Sequence, residues 1–149
     1  MGDSLALPRV GSIEDPIRLA VLISGGGSGL ASLLKFQSEE SRCHQTVLVL
    51  ADSEGAGGLE HGRKSEIESK GIPLPTDLPA PDRRRAHEEI IERHLQSSNV
   101  ELVVLSGYMR ILTPSFVGKW KGRIVNVHPS LLPDFPGAHA HRDVLSAGV

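Results

Sequence analysis

Along the chain, short and nearly continuous apolar runs alternate with segments whose apolar residues recur at helical spacing. Residues 17–24 (IRLAVLIS), 46–51 (TVLVLA), 102–106 (LVVLS) and 124–128 (IVNVH) are runs of the first kind. The first three are rich in Val, Ile and Leu and lack polar alternation, as strands do when a parallel sheet buries both their faces, and the fourth is a further strand stopped by Pro129. Residues 30–40 place Leu30, Leu33 and Leu34 on one helical face, and residues 82–96 do the same with Ala86, Ile90, Ile91 and Leu95. Asp82 is the expected N-cap of that second helix. Residues 59–70 predict a polar helix closed by Gly71, followed by a short edge strand at 72–74, because Pro73 and Pro75 permit nothing longer. Thr113 and Pro114 predict the N-cap and first position of a short helix. Residues 1–16 show no periodicity and read as a flexible arm, leaving residues 17–149 as one folded region.

Strands alternating with helices predict an α/β fold: an open, mostly parallel sheet with helices on both faces and right-handed crossovers. Sheets of this kind bind ligands at the carboxyl ends of their strands. That rule selects the loops at residues 25–29, 107–112 and 126–137.

Composition narrows the picture further. The chain has 149 residues, 39% of them hydrophobic but only 3% aromatic, so its core has to be aliphatic. Sixteen Lys and Arg against 18 Asp and Glu leave a net charge of -2, without the basic excess of a nucleic-acid binder. No apolar run approaches the roughly 18 residues that cross a bilayer. The first residues have no apolar stretch resembling a secretory leader. A single cysteine, Cys43, precludes an internal disulfide and suits a cytoplasmic protein.

The chemistry concentrates in two of the selected loops. Gly25, Gly26, Gly27, Ser28 and Gly29 join a strand to a helix, where backbone N–H groups and the helix N-terminus suit a phosphate; the alternative is a tight turn that serves packing alone. Leu30 stands where the dinucleotide fingerprint needs Gly or Ala, and no Gly-Lys-Ser/Thr follows. Asn126 and His128 are two apart in an extended segment, so their side chains leave one face about 7 Å apart. An Asn amide can donate to a developing oxyanion, and a His can exchange a proton near neutral pH. Pro129 keeps His128 extended. His139 and His141 lack companion ligands, and His87 and His94, one helix but seven residues apart, are too distant to share an ion, so no metal is expected. Arg83, Arg84 and Arg85 read as a solvated face, and Cys43 as inert.

The segments LISGGGSGL (residues 22–30), SGYMRILTPSFV (106–117) and above all NVHPSLLPDFPG (126–137) resemble the phosphoribosylglycinamide formyltransferases of purine biosynthesis. The resemblance extends over residues 17–149 and implies a Rossmann-like, formyltransferase-like fold whose C-terminal part falls beyond Val149. It implies transfer of a formyl group from 10-formyltetrahydrofolate, as co-substrate, to the amine of glycinamide ribonucleotide. Gly25, Gly27, Ser28 and Gly29 would hold the nucleotide's phosphate, with Gly107, Met109 and Pro129 near its ribose and glycinamide parts. Arg110, Ile111 and Leu112, with Asn126, would contact the folate. Asn126 and His128 match two of the family's three catalytic residues, and the third, an Asp, is expected in the segment beyond Val149 rather than at Asp134 or Asp143. Gly26 and Gly29 stand where members commonly carry Asn, so the backbone contacts to phosphate would remain and a side-chain contact would go. Two alternatives stay open: a formyltetrahydrofolate deformylase, in which water replaces the amine, and a phosphate-binding fragment without turnover. The resemblance leaves oligomeric state open and implies neither nucleic-acid nor membrane partners.

Overall fold

The computed structural model describes residues 9–127. In chain order the elements are β1 (Ile17–Ile23), α1 (Ser28–Glu39), β2 (His44–Ala51), α2 (Leu59–Lys64), β3 (Glu68–Gly71), α3 (Ala80–Ser97), β4 (Leu102–Ser106), α4 (Pro114–Lys119) and β5 (Ile124–Val127). The strands form one parallel sheet in the order β3-β2-β1-β4-β5. The chain winds outward through β2 to β3, then returns to the other side of β1, so its direction reverses between β1 and β4. Ligand crevices form at such switch points.

Each central strand sends alternate side chains to opposite faces. Ala20, Leu22, Leu48, Leu50 and Val103 pack with Ile91 and Leu95 of α3 and with Phe116 and Trp120 around α4. Val21, Ile23, Val49 and Ala51 pack with Leu30 and Leu34 of α1 and Leu59 of α2. The expected helices on both faces are therefore present; the core is aliphatic on the α1 side, whereas Tyr108, Phe116 and Trp120 join it on the α3 side. On the α1 side, the sheet beyond β1 carries an open apolar groove of about 630 Å³, lined by Leu19, Val21, Leu102, Val104 and Val127 among others. No helix of the described residues is long and apolar enough to cross a membrane.

Residues 59–71 differ from expectation. Helix α2 ends at Lys64, Glu66 takes a left-handed conformation (φ 60), and the Ile67 N–H donates to the Gly62 carbonyl at 2.9 Å. The chain thereby turns into β3, which pairs Glu68–Gly71 with Leu48–Ala51 of β2. An edge strand exposed to water needs no apolar alternation, which is why its sequence, ESKG, passed for helix. Gly71 is no helix cap: a Cβ there would strike the backbone of Ser53 and Glu54. Ile72, expected in a strand, instead enters the α3-side core just after β3. Helix α3 also starts earlier than expected, at Ala80 behind Pro79, with Asp82 in its first turn rather than at the N-cap. Within the N-terminal arm, Arg9 donates to both carboxylate oxygens of Glu101 (2.6 and 3.1 Å) and to the Asp15 and Pro16 carbonyls, so residues 9–16 lie tied to the start of β1.

Candidate functional site

The glycine loop leaves β1 at Ser24 and enters α1 at Ser28. Gly27 makes the turn with φ 70 and ψ 37, a left-handed conformation that favours glycine, and its carbonyl accepts the first helical bond from Ala31 at 2.8 Å. Behind the loop stands a second glycine, Gly58, whose N–H donates to the Gly25 carbonyl at 2.9 Å. A Cβ on Gly58 would lie 2.8 Å from that carbonyl and 3.0 Å from Gly27 Cα. The glycine cluster at residues 55–58 thus allows the phosphate-type loop to be backed by main chain. On its open side, Gly25, Gly26, Gly27, Ser28 and Gly29 face Ser106 and Gly107 across a pocket of about 160 Å³. Backbone N–H groups and the start of a 12-residue helix make this an anion-favouring cleft at the switch point.

The loop after β4 borders a second pocket. Gly107 has φ 70, and the following residues reach over the ends of β1 and β2. Ser24 Oγ accepts from the Met109 N–H at 2.8 Å, and the Arg110 guanidinium bonds Asp52 at 3.0 Å. Tyr108, Met109, Arg110, Ile111 and Leu112 line a pocket of about 200 Å³ with Leu74 and, from α3, Arg84, His87 and Glu88. Met109 and Ile111 are 78% and 72% exposed, an unusual outlay of apolar surface beside a cleft with two arginines. Burial pushes the Tyr108 hydroxyl up from its ordinary pKa; the charges of Asp52 and Glu88 add to that shift, and Arg110 opposes it. His87 is buried with Nε2 at 2.6 Å from the Ile72 carbonyl, a packing role.

The predicted residues therefore sort into two neighbouring pockets. Gly25, Gly27, Ser28, Gly29 and Gly107 surround the first, whereas Met109 joins Arg110, Ile111 and Leu112 in the second. Asn126 is half-buried in β5, opposite Leu105 of β4 and on the same face as Ile124, which packs toward α3 and α4. His128 and Pro129 lie outside the described residues. Arg84 stays exposed, as expected of a solvated basic block, and it also lines the second pocket. The signal was its spacing: Arg84, His87 and Glu88 sit at i, i+3 and i+4, one face of α3. Asp52 carried no local signal, and the glycine cluster at 55–58 and the turn at Ser24 gave no hint of their partners, because only the sheet brings them together.

Comparison with known proteins agrees with this architecture. The formyl transferase family matches residues 17–149. The trifunctional purine biosynthetic protein adenosine-3 of Drosophila pseudoobscura pseudoobscura is 42% identical over 133 residues, 88% of this chain and 10% of that protein. Phosphoribosylglycinamide formyltransferase of Escherichia coli (strain K12) is 36% identical over 133 residues, 89% of this chain and 60% of that enzyme. The crystal structure of phosphoribosylglycinamide formyltransferase from Brucella melitensis superposes with a TM-score of 0.72 at 35% identity, over 91% of this chain and 68% of that one. The chain thus spans about a tenth of the trifunctional relative and about three-fifths to two-thirds of the two single enzymes. A family match over residues 17–149, joined to a shared fold at 35% identity, establishes that this chain belongs to the formyl transferase family.

Proposed function

We propose that the chain carries the nucleotide-binding and folate-facing part of an enzyme that moves a formyl group from 10-formyltetrahydrofolate to the amine of glycinamide ribonucleotide, in cytoplasmic purine biosynthesis. The observation that carries the reading is the pair of unlike pockets sharing the loop after β4. One is lined by glycine backbone at a helix N-terminus and suits a phosphate. The other is lined by apolar side chains with Arg84 and Arg110 and suits a flat, conjugated ligand bearing carboxylates.

In this reading the nucleotide amine attacks the formyl carbon directly. A C–N bond forms as the carbonyl oxygen takes negative charge, and the amide of Asn126 donates to that oxygen. Collapse breaks the bond to the folate nitrogen, which gains a proton as the incoming amine loses one. His128 is the group assigned to that proton movement. Every atom is accounted for without a metal ion or an oxidant.

The test is single-turnover formyl transfer by the complete enzyme that carries this chain, with nucleotide binding followed in parallel by calorimetry. Asn126→Ala is expected to lower the rate of the chemical step by about 10² to 10³, with nucleotide affinity kept within about twofold. A defect confined to nucleotide binding would remove Asn126 from the chemistry. Formate release without nucleotide would favour the deformylase reading, and nucleotide binding without transfer would reduce the chain to a phosphate-binding module.

A further inference from the structure

We propose that Glu88 is a positioning residue for the second pocket, acting through Thr113 on the loop that lines it; the identity of the ligand rests on the reading above. Glu88 is only 6% exposed, on the inner face of α3 one turn before Ile91 and two before Leu95. A carboxylate in such a place has to find donors. Both of its oxygens find the same residue: Oε2 accepts the Thr113 N–H at 2.7 Å, and Oε1 accepts the Thr113 hydroxyl. Thr113 Oγ1 in turn accepts the Phe116 N–H at 3.2 Å, capping α4. One side chain thereby fixes the downstream end of the loop and the first turn of the next helix.

The upstream end is fixed separately, by Ser24 Oγ on the Met109 N–H. Between these two pins lie Arg110, Ile111 and Leu112, whose backbone N–H groups make no hydrogen bond among the described residues. The three residues that line the pocket are thus held by their flanks, and by the Arg110–Asp52 pair at the surface. Packing alone does not call for a carboxylate here. Removing it would leave the partly buried Thr113 N–H and hydroxyl proton without acceptors and release the downstream pin. The first pocket is built on the β1–α1 turn and Gly58, and takes nothing from Glu88. The clamp should therefore act on one ligand and spare the other.

The experiment compares the full chain with its Glu88→Ala and Glu88→Gln variants, by amide hydrogen exchange and by calorimetry with 5-formyltetrahydrofolate and glycinamide ribonucleotide. In Glu88→Ala, exchange at Thr113 should rise at least about tenfold while β1 amides are unchanged. Affinity for the folate probe should fall about 10- to 100-fold, the scale on which small misplacements of a positioned loop are felt, with nucleotide affinity within about twofold. Glu88→Gln keeps an acceptor for the Thr113 N–H and should retain most of both the protection and the folate affinity. Equal losses for the two ligands, or unchanged folate affinity beside a deprotected loop, would overturn the positioning role. A Thr113 amide as protected in Glu88→Ala as in the wild type would overturn the clamp itself. Failure of the wild-type chain to bind the folate probe would instead overturn the ligand assignment, a result the exchange data keep separate from the clamp.

Discussion

Gly58 touches no ligand in the proposed mechanism, yet Gly58→Ala should damage the glycine loop. A Cβ at that position would lie 2.6 Å from Ile23 Cδ1, 2.8 Å from the Gly25 carbonyl oxygen and 3.0 Å from Gly27 Cα. The Ile23 methyl group can rotate away, but the other two atoms belong to the backbone of the loop. Relief requires that loop and α2 separate by several tenths of an ångström, which also stretches the 2.9 Å bond from the Gly58 N–H to Gly25. Overpacking of this kind costs about 1 to 3 kcal/mol. For a chain of this size that is a fall in Tm of about 2 to 12 °C, at 2 to 4 °C per kcal/mol. Nucleotide binding should weaken as well, because Gly25 and Gly27, whose backbone would be displaced, line the anion pocket. The neighbouring Gly57 is the internal control: a Cβ there meets nothing within 4 Å, so Gly57→Ala should stay within about 0.5 kcal/mol of the wild type. Thermal unfolding and titration with glycinamide ribonucleotide on the two variants decide the matter. Equal Tm and equal affinity for Gly57→Ala and Gly58→Ala would refute the claim that the second glycine cluster exists to back the first.

Two further outcomes follow from polar groups outside the loop. The Tyr108 hydroxyl is buried without a hydrogen-bond partner among the described residues, so Tyr108→Phe should be neutral or stabilising by up to about 1 to 2 kcal/mol in urea denaturation; a loss above about 1 kcal/mol would show that the hydroxyl is satisfied. The Glu101 carboxyl is held below its ordinary range chiefly by the Arg9 hydrogen bond, with the Arg18 N–H adding to it and burial opposing. A depressed carboxyl contributes stability that is present above its unfolded pKa and lost as pH falls through its folded value. The stability gap between the wild type and Glu101→Gln should accordingly be open at pH 7 and close as pH drops below about 4. A gap that stays constant across that range would mean that the ion pair is not its source.

By itself, the sequence determined the parts that depend on neighbours along the chain. Continuous Val, Ile and Leu runs specify strands covered on both sides, as at Ala20 to Ile23, all buried. Thr113 with Pro114 specifies a helix start, and Thr113 does accept the Phe116 N–H there. A glycine run between strand and helix specifies a turn that only glycine makes freely, realised at Gly27. Tertiary structure decided the rest. The strand at Glu68–Gly71 reads as polar helix until β2 offers it an edge to pair with, since the stabilising bonds come from residues about 20 positions away. Arg84 stays solvated as its sequence suggests, but only the docking of α3 turns the face it shares with His87 and Glu88 toward the second pocket. Ser24 and Asp52, far apart in the chain, hold the loop after β4 only because a parallel sheet sets its carboxyl ends side by side, and Glu88 does so only because α3 packs against that sheet. Local patterns encode which face of each element is apolar; only packing of those faces settles which polar groups meet at their ends.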